Sequence, residues 1–149
     1  MLFRSNQDVV FLDSTGRAYT AAAHMLPSAR GQGEPLTGRF NPPAGAVFRG
    51  VAAGEQEAQF IVSNDAGYGF IGKLGDMLTK NKAGKSLMSV PKGGIVNQPA
   101  LVHDMAHEYI AAFSNEGRLL IFPVADLPQL GRGKGVKIMN IPKIGRAHV

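Results

Sequence analysis

The chain of 149 residues contains no cysteine. That excludes a disulfide framework, a zinc site built on thiolates and a cysteine nucleophile, while leaving the redox compartment open. Long apolar runs are missing too: none approaches the ~20 residues a spanning helix needs, and no signal peptide opens the chain. These two absences lead to the expectation of a cytoplasmic protein. Helical periodicity is scarce, with only Leu74 to Leu78 and Val124 to Leu127 reading as a turn or two. Charged residues make up 18% and hydrophobic residues 44%, ordinary values for a domain able to bury a core.

What the chain has is glycine and proline, 19 and 9 residues, as many short strands and tight turns require. It also has sixteen basic against eleven acidic residues, a formal +5. Such a balance suits a polyanionic partner, although small domains with no such partner are often mildly basic as well.

One pattern is written three times. Glu108 to Ile138 reads as a strand (Tyr109 to Phe113), a turn at Ser114-Asn115-Glu116-Gly117, a second strand (Arg118 to Phe122), a Pro-punctuated corner and the basic run Gly131-Arg132-Gly133-Lys134-Gly135. Val9 to Gly33 and Gln59 to Lys85 repeat it. The turn glycines Gly16, Gly67 and Gly117 lie 51 and 50 residues apart, and second glycines follow at Gly33, Gly84 and Gly135. A glycine in a short turn between β-rich runs signals a hairpin, because it takes positive φ without a Cβ clash. A period of roughly 40 to 50 residues with a hairpin in each unit predicts a bladed array of small antiparallel sheets. Later segments extend each unit: Ala46 to Ala53, then Ser86 to Val90, Ile95-Val96 and Pro99 to Val102 all read as strands, so each unit is a hairpin, a basic corner, a third strand and a fourth. Pro35, Pro42, Pro43, Gly38 and Gly45 make 32 to 46 a loop.

Several short motifs are better explained by this repeat than by chemistry. Gly67-Tyr68-Gly69-Phe70-Ile71-Gly72 fits a dinucleotide fingerprint, but a strand follows where a helix must begin. Ala83-Gly84-Lys85-Ser86 resembles the end of a P-loop, with Thr79 where the first glycine belongs. His103 and His107 have the i, i+4 spacing of a zinc helix, yet Asp104 replaces the glutamate base and the stretch reads as an exposed link. Tyr19, Tyr68 and Tyr109 fall on expected strands, where a core or sheet-surface role is the default. No catalytic constellation emerges, and no metal site is expected.

The basic corners remain. They contribute Arg30, then Lys80, Lys82 and Lys85, then Arg132, Lys134 and Lys137. Lysine and glycine are common in solvated turns, which is the plain reading. Recurrence favours another: charges returning in each unit line one rim, where glycine amides approach phosphates and the cations release counterions. Few base-reading side chains accompany them, so low sequence specificity is expected.

The words LDSTGRAYT, SARGQGEPLTGRFNPP, Ser63-Asn64-Asp65-Ala66-Gly67-Tyr68-Gly69, LTKNKAGK and LPQLGRGKG resemble the C-terminal domain of the A subunit in the bacterial gyrase and topoisomerase IV family, from about Leu2 to Pro142. The resemblance implies an all-β fold, a propeller-like β-pinwheel of four-stranded antiparallel blades. About three blades are present, in units 1–53, 54–102 and 103–142, so an incomplete ring is expected, with an exposed blade edge. It further implies non-sequence-specific capture and bending of double-stranded DNA for decatenation and supercoil relaxation. The parent protein would be an ATP-dependent type II topoisomerase, whose partners for this domain are a breakage-reunion domain and the ATPase B subunit. Its Mg2+ and ATP would act through those other parts of the enzyme, with no cofactor in this chain. Gln129-Leu130-Gly131-Arg132-Gly133-Lys134-Gly135 keeps the Gln and the final Gly-Lys-Gly of the gyrase wrapping box but lacks the Arg-Arg-Gly between, which argues against gyrase-type wrapping. The family's catalytic tyrosine lies in a domain that no segment here resembles, so it maps onto none of the three tyrosines. Residues 143–149 do not continue the repeat and match the translated sequence of a sequencing adapter; they are expected to be a non-native tail, with the chain a fragment. Two other readings stand beside this one: a protein-interaction propeller whose basic rim is incidental, and a stand-alone enzyme.

Overall fold

The computed structural model describes Arg4, residues 6–140 and residues 147–148. Three hairpins organise it: β1 (Asp8–Asp13) with β2 (Arg17–Ala22), β4 (Gln59–Ser63) with β5 (Tyr68–Lys73), and β8 (Tyr109–Ser114) with β9 (Leu119–Pro123). Each turns at the expected glycine, Gly16, Gly67 or Gly117, with φ of 90°, 93° and 85°. The residue opening each turn holds it shut with its side chain. Asp13 Oδ1 accepts the amides of Thr15 and Arg17 at 2.9 and 3.1 Å. Asn64 Oδ1 accepts those of Ala66 and Tyr68 at 3.1 and 3.3 Å, and Ser114 Oγ accepts that of Arg118 at 3.3 Å. A short polar side chain bonding its own backbone two to four residues on is what makes such turns local and self-sufficient.

Between the hairpins lie β3 (Phe48–Gly54), the four-residue helix α1 (Leu74–Met77), β6 (Lys85–Ser86) and β7 (Ala100–Val102); β10 (Val136–Lys137) and β11 (Ala147–His148) follow. The fold is all-β, in antiparallel sheets ordered β3-β1-β2-β6, β10-β5-β4-β7 and β11-β8-β9. The sequence repeat and the spatial sheet are offset. In the second and third units the strand after the basic corner does not join its own hairpin: β6 pairs with β2 of the unit before, and β10 with β5. Two sheets thus gain a fourth strand from the following unit, and the last described sheet has three.

Ser86 to Val90, expected as one strand, pairs in a sheet over Lys85–Ser86 and beyond that makes a single parallel bridge, Met88 to Gly133. Leu87 and Met88 then turn inward and both donate their amides to the Gly16 carbonyl, at 2.9 and 3.0 Å, so the run is consumed by the core. Ile95-Val96 contributes a single bridge, Val96 to Asn64. β9 begins one residue later than read, at Leu119, because Arg118 still closes the turn by accepting the Ser114 amide at 2.9 Å.

Strand alternation divides the core. From the middle sheet, Phe60, Val62 and Phe70 face the first sheet and pack on Val10, Leu12, Ala18 and Ala52. Ile61 and Ile71 face the third and pack on Ile110, Ala112, Val124 and Leu127. The middle sheet is covered on both sides and β4 is buried from Phe60 to Ser63. In β8 burial alternates strictly, because only one face is covered.

Within the segment read as a tail, 143–146 and 149 lie outside the described residues. Ala147 and His148 pair with Ser114 and Phe113 of β8, the place that Phe48 of β3 takes beside Asp13 in the first sheet. Strand addition needs only backbone groups, so an open edge accepts an extended segment whatever its side chains.

Candidate nucleic-acid interface

Each of the two later basic corners is a loop laid across the hairpin of the preceding unit. In the second corner, Asn81 Oδ1 accepts the Ala83 amide at 3.0 Å and the Asn81 carbonyl accepts the Gly84 amide at 2.9 Å. Thr79 anchors its start on the Thr20 hydroxyl at 3.0 Å, and the Lys82 carbonyl accepts the Asn41 amide at 2.9 Å. The guanidinium of Arg17 then grips its end, donating to the carbonyls of Ala83 and Gly84 at 2.9 and 3.0 Å.

The third corner is held in the same way. Leu130 donates to the Ile71 carbonyl at 2.9 Å, and Gly133 donates to Leu87 and accepts from Ser89 at 2.8 and 3.0 Å. Where the first unit has Arg17, the second has Tyr68, and Lys134 Nζ lies 4.3 Å from the centre of its ring. A cation over a tyrosine face in partly exposed surroundings gains about 0.5–1 kcal/mol. Gly84 and Gly135 permit this crossing. A Cβ on Gly84 would lie 2.8 Å from the Ala18 carbonyl oxygen, and one on Gly135 2.3 Å from that of Gly69.

These anchors leave the charged ends outside. Arg30, Lys80, Lys82, Arg132, Lys134 and Lys137 are exposed or partly so, and Lys85 is half-buried. Lys85 and Arg132, from consecutive corners, line one cleft of about 390 Å³ together with Gly131 and Asp76. Lys80 and Lys82 line a second, also about 390 Å³, with Thr20, Phe40 and Arg39. Arg30 lies in the first corner, on the turn closed by Gly31 donating to Ser28 at 3.0 Å, and lines neither cleft.

Sequence reading missed three contributors. Arg39 sits in the Pro-rich loop, where only punctuation was visible, and it pairs with Glu34 while facing the Lys80–Lys82 cleft. Asp76 puts a carboxylate beside Lys85 and Arg132. Tyr68 serves as the perch for Lys134, recognisable only as the residue after a repeat glycine.

The other motifs resolve into local structure. Tyr68–Lys73 of the glycine fingerprint is strand throughout. His107 Nδ1 lies 2.8 Å from Asp104 Oδ2 in an exposed turn, and Glu108 Oε1 accepts the Asp104 amide at 2.5 Å. Among the described residues no group of three His, Asp or Glu is arranged to hold a metal, and no helix is long and apolar enough to cross a membrane.

Two stacked four-stranded sheets, each completed by a strand from the following unit, and a third sheet of three strands define a propeller-type domain. Residues 108–143 match the family described as DNA gyrase C-terminal domain, beta-propeller. The chain is 57% identical over 139 residues to the Pseudomonas aeruginosa DNA topoisomerase 4 A subunit and 47% identical to that of Escherichia coli K12, in both cases over 93% of this chain. It spans 18% of the length of those curated relatives. Its structure superposes on the E. coli ParC C-terminal domain with a TM-score of 0.89 at 42% identity, covering 98% of this chain and 62% of that one. The C-terminal domain of DNA gyrase A shares the fold, at a TM-score of 0.72 and 15% identity, over 96% of this chain and 46% of that one. The chain belongs to the family of C-terminal domains of the topoisomerase IV A subunit.

Proposed function

We propose that this chain holds a segment of double-stranded DNA by its phosphates, through the corner residues Arg30, Lys80, Lys82, Lys85, Arg132, Lys134 and Lys137. The observation that carries the reading is the convergence of Lys85 and Arg132: cations from two successive units share one cleft, so neighbouring corners present a continuous surface. Their loops are fixed on the preceding hairpin, so little ordering is left to be done on binding. The contacts available are cations and glycine amides, which suit phosphate and not base edges. Arg39 extends the same surface beside Lys80 and Lys82.

On this reading the parent protein is a type II topoisomerase acting in decatenation and supercoil relaxation, and the chain supplies it with a DNA-capturing, DNA-bending surface. Strand cleavage, ATP and Mg2+ belong to the breakage-reunion domain and the ATPase B subunit. The units 1–53, 54–102 and 103–142 each contribute one corner to the surface.

Fluorescence anisotropy with a long linear duplex, across a salt series, tests the proposal beside the Arg132→Glu/Lys134→Glu variant. A steep salt dependence, indifference to DNA sequence and a shallower slope for the variant are expected. A folded protein with no salt-sensitive binding would overturn it and favour a protein-interaction propeller.

A further inference from the structure

The cleft beside the second basic corner differs in chemistry from the one that Lys85 and Arg132 share. Three segments far apart in the chain build it: β2 at Thr20, the loop at Arg39, and the corner at Thr79, Lys80, Asn81 and Lys82. Every side-chain oxygen that lines it already accepts a backbone amide. Thr20 Oγ1 accepts from Thr79 at 3.0 Å, Thr79 Oγ1 from Asn81 at 3.1 Å, and Asn81 Oδ1 from Ala83 at 3.0 Å. Among the described residues no carboxylate lines this cleft. What remains free is donors: the hydroxyl protons of Thr20 and Thr79, the side-chain amide nitrogen of Asn81 and the two ammonium groups. Neither Lys80 nor Lys82 has an ion-pair partner among the described residues.

Arg39 is the fixed member of the set. The 3-10 helix Leu36–Gly38 leads into it, and the Arg39 amide donates to the Leu36 carbonyl at 3.0 Å. The next residue, Phe40, is buried with its ring 5.3 Å from that of Tyr19. Asn41 then donates to the Lys82 carbonyl at 2.9 Å, which ties the loop to the corner. The guanidinium itself is held from one side: Nε donates to Glu34 and Nη2 to the Met25 carbonyl. A guanidinium carries five N–H groups, so three are left, on Nη1 and Nη2. Glu34 does not line the cleft. An arginine held by two acceptors has given up much of its rotamer freedom before any ligand arrives.

A cleft that offers free donors and three positive charges, with its side-chain acceptors occupied, suits an oxyanion and disfavours a cation. A planar fork beside two ammonium groups is the arrangement that charge-assisted bonds to phosphate oxygens use. The shared cleft is poorer in this respect, because Asp76 sets a carboxylate beside Lys85 and Arg132. We propose that Arg39, Lys80 and Lys82 form a phosphate-binding site, with the hydroxyls of Thr20 and Thr79 as further donors. The inference deepens the DNA reading above and rests on it only for the source of the phosphate, a backbone phosphodiester or a free phosphate compound.

Titration of the 149-residue chain with inorganic phosphate, followed by amide nitrogen–proton NMR spectra at constant ionic strength with chloride as the reference, tests it. Phosphate should shift the amides from Gly38 to Phe40 and from Thr79 to Lys82 and leave those of Gly131 and Arg132 in place. Arg39→Gln should weaken the response about tenfold or more, and Lys80→Gln/Lys82→Gln should do the same. The two lysine side chains hold nothing in place among the described residues, so a loss in that variant with an unchanged melting curve is not a folding defect. A short duplex that abolishes the phosphate shifts assigns the site to the DNA backbone. A duplex that binds while phosphate stays in place assigns it to a free phosphate compound. Shifts that are missing, that chloride reproduces or that survive both variants overturn the proposal. Because the titration contains no DNA, salt-sensitive duplex binding without phosphate shifts would remove this site and leave the DNA reading standing, and the reverse result would do the opposite.

Discussion

The hydroxyl of Tyr19 donates to Asp13 Oδ2 at 2.6 Å, and both residues are fully buried inside the first hairpin. The other oxygen of Asp13 accepts from Thr15 and Arg17, so one carboxylate ties the turn to the strand it starts. Burial, followed by the hydrogen bond and charge of Asp13, raises the Tyr19 pKa well above the ordinary phenol value. The folded state therefore holds that proton more tightly than the unfolded chain does. The stability this contributes is complete below the unfolded value of about 10 and is lost as pH rises beyond it. Tyr19→Phe should cost about 1–3 kcal/mol at neutral pH, because Asp13 loses a buried donor. It should also flatten the alkaline decline. Urea midpoints measured from about pH 8 to pH 11 check both, and an equal slope in the two proteins would contradict the assignment.

The repeat glycines should differ in their tolerance of a methyl group. A Cβ on Gly16 would sit 1.9 Å from the Met88 carbonyl oxygen, whereas one on Gly117 meets nothing within 4 Å. Both have positive φ, so each alanine carries a conformational cost of about 1–2 kcal/mol. Gly117→Ala should lose about that much, and Gly16→Ala considerably more, since backbone must move. Equal melting temperatures for the pair would show that the corner packs more loosely than described.

Burial on two faces should separate aromatic truncations by position. Phe60 is fully buried between sheets, and Phe60→Ala should cost about 3–5 kcal/mol. Tyr109, 67% exposed on the open face of β8, should cost less than about 1 kcal/mol when truncated. Chemical denaturation of the two variants decides it.

Charge removal in the shared cleft should be visible in salt dependence. If Lys85 and Arg132 each neutralise one phosphate, Lys85→Gln/Arg132→Gln should reduce the slope of log K against log salt by about 2. Lys73→Gln is the control. That exposed lysine pairs with Glu57 at 3.0 Å, does not line the shared cleft and should leave the slope unchanged. Identical slopes for wild type and double variant would remove Lys85 and Arg132 from the surface.

Much of this was legible because it is local. Asp13, Asn64 and Ser114 each close a turn from within four residues, and Gly16, Gly67 and Gly117 supply the positive φ, so hairpin positions follow from spacing. Which face of β8 is covered was not legible, because Tyr109 to Phe113 is apolar throughout, and only the structure buries Ile110 and Ala112 while leaving Tyr109 and Phe113 exposed. The corner cations were legible as a repeated composition, though which of them share a cleft was not. Arg39 reaches Lys80 and Lys82 only because the loop of 32 to 46 folds back, and no residue spacing encodes that return.

The sequence alone determined the hairpin turns, the strands that flank them and the repeat, since each depends on backbone preferences and hydrogen bonds spanning a few residues. Tertiary structure alone decided which strands share a sheet. Lys85–Ser86 pairs with β2, and not with its own hairpin, because Leu87 and Met88 must reach the core beneath Gly16 and Arg17 holds the carbonyls that lead there. It likewise decided that Ile71 is buried and Ile121 is not: the two residues are alike in type and strand position, but Ile71 packs on Ile110, Ala112 and Leu127, whereas Ile121 is 59% exposed on β9.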